Sequence, residues 1–283
     1  MIFKRIEFNE ENNVYMNAYL HENCEEWNYA HTRPAVVVCP GGGYGMCAPR
    51  EADPIARRFL AAGYNAFVLY YSLGERAAFP QPLVDLSKAM KYIREHAKEW
   101  NILKDKIAVC GFSAGGHLTA SLGTLWNNSE VQTLANCSGE ENKPNALILG
   151  YPVISTRAWM VKALPRLIGD RDEKATERLL NTYQNVGPHT PPTFMVHTFM
   201  DHAVAVDESM VFANALNNNN IPFELHIFPN GRHGLGLGDV ETCGEYDPSF
   251  SKWMELCLLW LGRVFEDGEK LDPSNRARPV KEY

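Results

Sequence analysis

The fold follows most directly from residues 106–116, which read Lys106-Ile107-Ala108-Val109-Cys110-Gly111-Phe112-Ser113-Ala114-Gly115-Gly116. The first five form a short, mostly apolar run, typical of a strand buried on both faces of a parallel sheet. The next five match Gly-x-Ser-x-Gly, and a helical pattern begins at Ala114. A serine set between a strand and a helix by flanking glycines is typical of a tight turn that exposes a nucleophile. We therefore predict that Ser113 is a nucleophile; a serine in an ordinary strand-to-helix turn is the alternative.

Apolar runs of the same kind recur along the chain and alternate with segments of helical periodicity. The runs are residues 35–39, 65–71, 106–110, 146–151, 193–198 and 223–228. The helical segments are residues 50–62, 82–99, 114–126, 204–216 and 248–265. This alternation predicts an α/β fold with a mostly parallel central sheet and helices on both of its faces.

Three further segments complete the predicted organisation. Residues 2–8 and 14–20, joined by a polar turn, alternate in polarity and predict an N-terminal antiparallel hairpin at the edge of the sheet. Residues 154–190 are too long for a simple crossover and predict a small helical cap insertion. Residues 1–266 are predicted to form a single domain, followed by a polar tail at 267–283.

The composition disfavours several classes of partner. The chain has 283 residues, of which 45% are hydrophobic, and this is ample for a sizeable core. A net charge of −7 disfavours binding to nucleic acid or to an anionic membrane surface. No apolar stretch approaches the length of a membrane span, and residues 1–20 do not resemble a signal peptide. Seven cysteines without a Cys-x-x-Cys pair indicate free thiols in a reducing compartment, so we expect a cytoplasmic protein.

A glycine-rich stretch, Pro40-Gly41-Gly42-Gly43-Tyr44-Gly45, follows the predicted strand 35–39. Backbone N–H groups fixed in such a loop can stabilise the oxyanion that forms when a serine attacks an acyl carbon. We predict that Gly42, Gly43 and Ala114 supply these N–H groups. A phosphate-binding loop is the alternative, but the stretch lacks Gly-x-Gly-x-x-Gly spacing and a Walker lysine.

His233 and Asp201 are the predicted partners of the serine. His233 lies in a glycine-flanked loop directly after the last predicted strand, the position that a general base takes when the chain order is serine, acid, histidine. Asp201 lies just beyond the carboxyl end of strand 193–198, from which a carboxylate could orient the imidazole.

Two alternatives concern the residues around Asp201. Asp207 is the rival acid, but it falls within the next helical segment, where an early carboxylate stabilises the helix dipole. A metal site built from His197, Asp201 and His202 is disfavoured because no metal-ligand motif accompanies these residues. We therefore predict neither a metal nor a cofactor.

Together these residues resemble the α/β-hydrolase esterases that are grouped with acetyl xylan esterases and feruloyl esterases. The resemblance runs from about residue 14 to 265. It is carried by residues 39–45, by Arg50-Glu51-Ala52 with 61–64, by 79–86, by 111–118, by Asp201 and by Arg232-His233-Gly234.

The resemblance implies an α/β-hydrolase fold and a cofactor-free serine esterase that removes small acyl groups from hydroxylated carbohydrate. It implies Ser113, Asp201 and His233 as the catalytic triad, with the Gly42–Gly43 loop and Ala114 as oxyanion donors. Acylated oligosaccharides taken into the cell fit the expected location better than an intact extracellular polymer does. The resemblance leaves the oligomeric state open.

Side chains that could cover the acyl group are harder to assign. Tyr44 in the glycine-rich loop and the cap residues Trp159, Met160 and Leu164 are candidates for substrate contact, with core packing as the alternative for each. The same triad also serves formamidases, other amide hydrolases and peptidases, so these stay open as alternatives. A non-catalytic binding module of the same fold is a third possibility, which the presence of all three triad residue types disfavours.

Overall fold

The computed structural model of the chain describes residues 1–23, 32–158 and 163–267. The strands in these ranges are β1 (Ile2–Asn9), β2 (Val14–Leu20), β3 (Arg33–Cys39), β4 (Asn65–Tyr70), β5 (Ile102–Phe112), β6 (Ala146–Gly150), β7 (Thr193–Thr198) and β8 (Phe223–Phe228). They form one sheet in the order β1-β2-β4-β3-β5-β6-β7-β8. β1 pairs with β2, and β2 with β4, in antiparallel orientation, whereas the pairs from β4-β3 to β7-β8 are parallel. The predicted mostly parallel sheet with an N-terminal antiparallel hairpin is confirmed.

Helices cover both faces of this sheet. The longer helices of the described residues are α1 (Asp53–Ala61), α2 (Gln81–Glu95), α3 (Ala114–Leu125), α4 (Ser129–Ala135), α5 (Leu164–Ile168), α6 (Glu173–Leu180), α7 (Asp207–Asn218), α8 (Val240–Cys243) and α9 (Trp253–Gly262). Successive residues of a strand point to opposite faces. Val37 packs in the core cluster that contains α2 and α3, whereas Val36 and Val38 pack in the cluster that contains α1 and α9. The central strands are therefore buried from both sides, as their continuous apolar runs predicted.

One of the predicted buried strands is different. The run 223–228 forms β8, the last strand of the sheet, and its residues are exposed or half-buried. Phe223 is 36% exposed and Ile227 is 42% exposed. The prediction of burial on both faces is wrong for β8, because the strand lies at the edge of the sheet, where the covering helices leave its faces partly open.

The predicted cap insertion lies between β6 and β7 and is helical. It contains α5 and α6 together with short 3₁₀ turns at Thr156–Ala158 and Thr182–Asn185. Leu167 and Leu180 on these helices are buried in the same core cluster as α2 and α3, so the insertion packs against the body of the fold. Trp159 and Met160 lie outside the described residues, as does the tail from residue 268 onward, and the domain boundaries stay predictions.

Two general features complete the description. The six cysteines within the described part of the chain are free thiols, and Cys24 lies outside it. Across residues 1–23, 32–158 and 163–267, no helix combines the length and apolar character that crossing a bilayer requires.

Candidate active site

Ser113 is the single residue between β5 and α3, and few residues adopt its backbone conformation. Its φ is 52° and its ψ is −118°, and a positive φ costs a residue with a side chain about 1–3 kcal/mol. Three backbone hydrogen bonds hold the residue in place. Its N–H donates to the carbonyl of Gly150 at 3.0 Å, and its carbonyl accepts from the N–H groups of His117 at 3.0 Å and Val153 at 3.2 Å. The half-buried side chain is thereby fixed at the carboxyl end of the sheet.

The two glycines of the motif allow the turn to close. A Cβ atom added to Gly115 would lie 2.0 Å from the carbonyl oxygen of Cys39 and 2.5 Å from that of Pro40. A Cβ atom added to Gly111 would lie 2.1 Å from the carbonyl oxygen of Gly115. The end of β3 therefore packs directly on the turn that carries Ser113, and only glycine leaves room for it.

We expect Gly115→Ala to destabilise the protein by about 3 kcal/mol or more, because backbone atoms of β3 cannot move away from the added methyl group. Gly262→Ala is the matched control, since it also adds a methyl group to a helical glycine but no atom lies within 4 Å of the new Cβ. The control should be neutral or stabilising by up to about 1 kcal/mol. Urea unfolding of the two variants measures the difference, and equal stability would contradict the close packing described here.

A continuous series of hydrogen bonds links Ser113, His233 and Asp201. The Nδ1 atom of His233 lies 2.7 Å from Oδ2 of Asp201, and its Nε2 atom lies 2.9 Å from Oγ of Ser113. A carboxylate only accepts hydrogen bonds, so Nδ1–H donates to Asp201 and Nε2 is free to accept from the serine hydroxyl. The Asp201 side chain is fully buried, and that of His233 is 16% exposed. This is the arrangement that proton transfer from the serine to the histidine requires.

Asp201 is held as a carboxylate by several donors. Its Oδ1 accepts from the N–H groups of Ala203 and Val204, each at 2.9 Å. Its Oδ2 lies 3.5 Å from Nε2 of His197, in addition to the bond from His233. Burial alone would raise the pKa of Asp201, but the hydrogen bonds from His197, His233 and Val204 outweigh burial and hold this pKa well below its usual range.

This lowered pKa makes a prediction about acid stability. A carboxyl group whose pKa is lower in the folded than in the unfolded state stabilises the fold above its unfolded pKa of about 3.9, and this contribution is lost as the pH falls. The free energy of unfolding of the wild type should therefore approach that of Asp201→Asn as the pH drops from about 5 to 2. Denaturant titrations at a series of pH values test this, and a difference that does not change with pH would contradict it.

The rival acid, Asp207, and two further histidines make other contacts. Asp207 is exposed at the start of α7. His226 pairs with Glu224 at 2.7 Å on the edge strand β8. His117 is buried on α3, where its Nδ1 bonds the Tyr44 hydroxyl and its Nε2 the carbonyl of Leu180. Within the described ranges, no group of three or more histidine, cysteine, aspartate or glutamate side chains is placed to hold a metal ion.

The glycine-rich loop lies directly against Ser113. A Cβ atom added to Gly41 would lie 2.9 Å from Cβ of Ser113. Gly42 and Gly43 have φ values of 128° and 62°, which favour glycine, and the loop folds back because the Gly42 carbonyl accepts from the N–H of Gly45 at 3.0 Å. Ala114 is the first residue of α3, so its N–H has no acceptor within the helix. The loop and the helix start flank Ser113, while oxyanion binding by these N–H groups stays a prediction.

The structure favours the packing alternative for Tyr44. Its side chain is 3% exposed, its hydroxyl lies 2.9 Å from Nδ1 of His117, and its ring centroid lies 5.7 Å from that of Tyr71. Leu164 at the start of α5 packs, half-buried, against the core cluster of α2 and α3. Tyr44 therefore links the glycine-rich loop to α3, and its contact with a substrate stays a prediction.

Three residues around this site, Arg50, Glu51 and Tyr151, were given no role by the sequence analysis. Glu51 is 1% exposed, and its carboxylate accepts from the Gly41 N–H and from the Tyr151 hydroxyl, each at 2.9 Å. Arg50 donates from Nε to the carbonyl of Gly234, next to His233, at 2.7 Å. The sequence showed only that Arg50 and Glu51 belong to a segment that carries the family resemblance, and this does not say what the pair contacts.

Comparison with known proteins supports this reading of the fold. An acetylxylan esterase of Xylanibacter ruminicola is 32% identical over 214 residues, which are 72% of this chain and 41% of that protein. The crystal structure of MGS-M1, an α/β hydrolase enzyme from a Medee basin deep-sea metagenome library, is 35% identical with a TM-score of 0.77, and the match covers 93% of this chain and 98% of that one. The acetyl ester-xyloside bifunctional hydrolase of Caldicellulosiruptor lactoaceticus is 33% identical with a TM-score of 0.77, covering 91% of each chain.

The lengths of the curated relatives differ from that of this chain. The chain spans 41% of the X. ruminicola esterase and 36% of another curated relative. The family model BD-FAE matches residues 25–216, which include the glycine-rich loop, Ser113 and Asp201. Together with the α/β-hydrolase topology of the sheet, this match shows that the chain belongs to the BD-FAE family.

Proposed function

We propose that the protein is a carboxylic ester hydrolase that removes short acyl groups, acetyl above all, from oligosaccharides such as xylo-oligosaccharides. The single observation that carries the proposal is the hydrogen-bonded series from Ser113 through His233 to the buried Asp201. The names of the X. ruminicola esterase and of the C. lactoaceticus hydrolase support acetyl esters of xylose-containing sugars as the substrate class.

The proposed reaction begins with attack by the serine. The proton of the Ser113 hydroxyl moves to Nε2 of His233 while Oγ forms a bond to the ester carbonyl carbon. The carbonyl oxygen becomes an oxyanion, which the N–H groups of Gly42, Gly43 and Ala114 stabilise. Asp201 holds the imidazole in the required tautomer and stabilises the imidazolium that forms.

The intermediate then loses the alcohol. The bond between the carbonyl carbon and the alcohol oxygen breaks, and that oxygen takes the proton from His233, so the sugar leaves with a free hydroxyl group. The acyl group stays on Ser113 as an ester. In the second half, water gives its proton to His233, attacks the acyl carbon, and the bond to Oγ breaks with return of the proton to Ser113. Acetate is released and no cofactor is consumed.

The preference for short acyl groups is tested with p-nitrophenyl esters from acetate to octanoate, beside acetylated xylo-oligosaccharides. We expect kcat/KM to be highest for the acetyl ester and to fall beyond about four carbons. Longer chains would then fail to gain the usual ~0.8 kcal/mol for each buried methylene group. The assay includes a chelator, because the proposed reaction uses no metal, and Ser113→Ala serves as the measure of background hydrolysis.

Two outcomes would overturn the substrate class. A higher kcat/KM for octanoate than for acetate would indicate a lipase-like specificity. Faster cleavage of N-formylkynurenine than of any acetyl ester would indicate an amide hydrolase with the same triad. Release of acetate from xylo-oligosaccharides by the wild type but not by Ser113→Ala would support the proposal.

A further inference from the structure

A buried carboxylate lies between the two loops that surround Ser113. Glu51, in the 3₁₀ turn Pro49–Glu51 just before α1, is 1% exposed. Removing a carboxylate from water is costly unless donors compensate for its hydration. The nearest cation, Arg50, has its Nε atom 3.7 Å from the Glu51 carboxylate, and the same Nε donates to the Gly234 carbonyl. The Arg50 charge and the neutral donors Tyr151 and Gly41 together compensate for the lost hydration, and these groups belong to the site.

One oxygen of Glu51 holds the glycine-rich loop. Its Oε2 accepts from the N–H of Gly41 at 2.9 Å, and Gly41 immediately precedes the two predicted oxyanion donors. A hydrogen bond to the Gly41 N–H fixes the plane of the peptide that enters the loop. Because successive peptide planes share a Cα atom, this bond restricts the direction of the N–H groups that follow.

The other oxygen of Glu51 reaches the histidine loop through Tyr151. Its Oε1 accepts from the Tyr151 hydroxyl at 2.9 Å, and that hydroxyl accepts from the N–H of Gly236 at 2.9 Å. The Tyr151 ring also packs edge-on against the His233 ring, with 5.0 Å between the centroids. The bond from Arg50 to the Gly234 carbonyl fastens the same loop at a second point. Two residues that follow His233, Gly234 and Gly236, are thus tied to the turn that contains Arg50 and Glu51.

We propose that Glu51, assisted by Tyr151 and Arg50, is a positioning residue that fixes the oxyanion loop and the His233 loop relative to each other. It acts through Gly41 and Gly236 and does not touch the substrate. The inference rests on the proposed function, because it assumes that Ser113 reacts through an oxyanion that the glycine-rich loop stabilises. Burial raises the pKa of Glu51, and the charge of Arg50 and the hydrogen bonds from Tyr151 and Gly41 oppose this rise.

The measurement is the rate at which a fluorophosphonate labels Ser113. The serine oxygen bonds to phosphorus, fluoride leaves, and the serine proton passes to His233, so the rate depends on both loops but not on the identity of any ester. We expect Glu51→Ala to lower this rate by about 100-fold, the effect of losing one oxyanion donor. Glu51→Gln keeps an acceptor for the Gly41 N–H and should recover the rate to within about tenfold of wild type. With p-nitrophenyl acetate, the loss should lie in kcat and not in KM.

Asp85→Ala is the matched control for a purely structural role. Asp85 on α2 is 4% exposed, and like Glu51 it accepts from one backbone N–H and one side chain, those of Ser72 and Gln81. We expect Asp85→Ala and Glu51→Ala both to lower the melting temperature. Only Glu51→Ala should lower the labelling rate. Equal losses of rate in Asp85→Ala and Glu51→Ala would overturn the inference, as would wild-type labelling of Glu51→Ala.

If Glu51→Ala does not fold, the labelling rates of Tyr151→Phe and Glu51→Gln test the inference instead. Tyr151→Phe keeps the ring against His233 and removes only the hydroxyl that joins Glu51 to Gly236, so we expect it to label about tenfold more slowly than wild type. Wild-type rates for both variants would overturn the inference. If the fluorophosphonate labels the wild type but the wild type does not hydrolyse acetyl esters, the proposed substrate is wrong and the role of Glu51 is unaffected. A wild type that does not label at all would overturn both.

Discussion

Ser113→Ala is expected to lower kcat for p-nitrophenyl acetate by about 10⁶-fold, the loss seen when the nucleophile of a triad is removed. The variant lacks the atom that would form the acyl-enzyme, so hydrolysis would have to proceed by direct attack of water. Alanine keeps the Cβ atom, and the lost hydroxyl is half-buried with His233 as its partner. The free energy of unfolding should therefore change by less than about 1 kcal/mol.

Ser121→Ala is the control for this substitution. Ser121 is a buried serine on α3, about two turns beyond Ser113, so it tests whether removing a nearby hydroxyl affects turnover. We expect Ser121→Ala to keep the wild-type kcat. A near-wild-type kcat of Ser113→Ala, in a preparation from which contaminating host esterase has been removed, would contradict the assignment of the nucleophile.

Asp201→Asn is expected to lower kcat by roughly 10⁴-fold. The Asn amide can donate to Nδ1 of His233, and this favours the tautomer that carries its proton on Nε2. That tautomer cannot accept the Ser113 proton. The shape of the site should not change, because the Asn oxygen can still accept from the N–H groups of Ala203 and Val204 that now bind Oδ1. Steady-state kinetics with p-nitrophenyl acetate measure the loss.

Asp207→Asn is the comparison that makes this result specific. Asp207 is the rival acid in the sequence, six residues further on, and it is exposed at the start of α7. We expect its substitution to leave kcat unchanged. The opposite pattern, a severe loss in Asp207→Asn and a mild one in Asp201→Asn, would show that the acid is assigned to the wrong residue.

The parts of the site that sequence alone predicts are those with a local pattern. Gly111 and Gly115 can be recognised because the Gly-x-Ser-x-Gly pattern is local, although the atoms that exclude a side chain at Gly115 belong to Cys39 and Pro40. Asp201 and His233 can be located because each follows a strand whose carboxyl end lies at the same edge of the sheet. Parallel strands impose this convergence on any residues placed there.

Glu51 could not be predicted in the same way. Its partners Gly41 and Tyr151 lie 10 and 100 residues away along the chain, and their hydrogen bonds depend on the packing of β3, β6 and α1. His197 is similar, because its contact with Asp201 depends on how the chain turns after β7. Tertiary contacts of this kind have no local signature in a single sequence.

The exposure of β8 shows a related limit. Its sequence Phe223–Phe228 alternates apolar residues with Glu224 and His226, unlike the continuous apolar run of β6, and this alternation was the only local sign of its exposure. Whether a strand is an edge depends on how the whole chain orders its strands, and among the described residues β8 pairs with β7 alone. An apolar run therefore predicts a strand better than it predicts its burial.

The central claim is that the reaction passes through an acyl group on Ser113. Rapid mixing of the wild type with p-nitrophenyl acetate, followed by acid quenching and peptide mapping by mass spectrometry, tests it most directly. We expect a burst of p-nitrophenol and one acetyl group on the peptide that contains Ser113, with no acetyl group in Ser113→Ala. Turnover with the acetyl group on a different residue, or equal turnover by Ser113→Ala, would contradict the account.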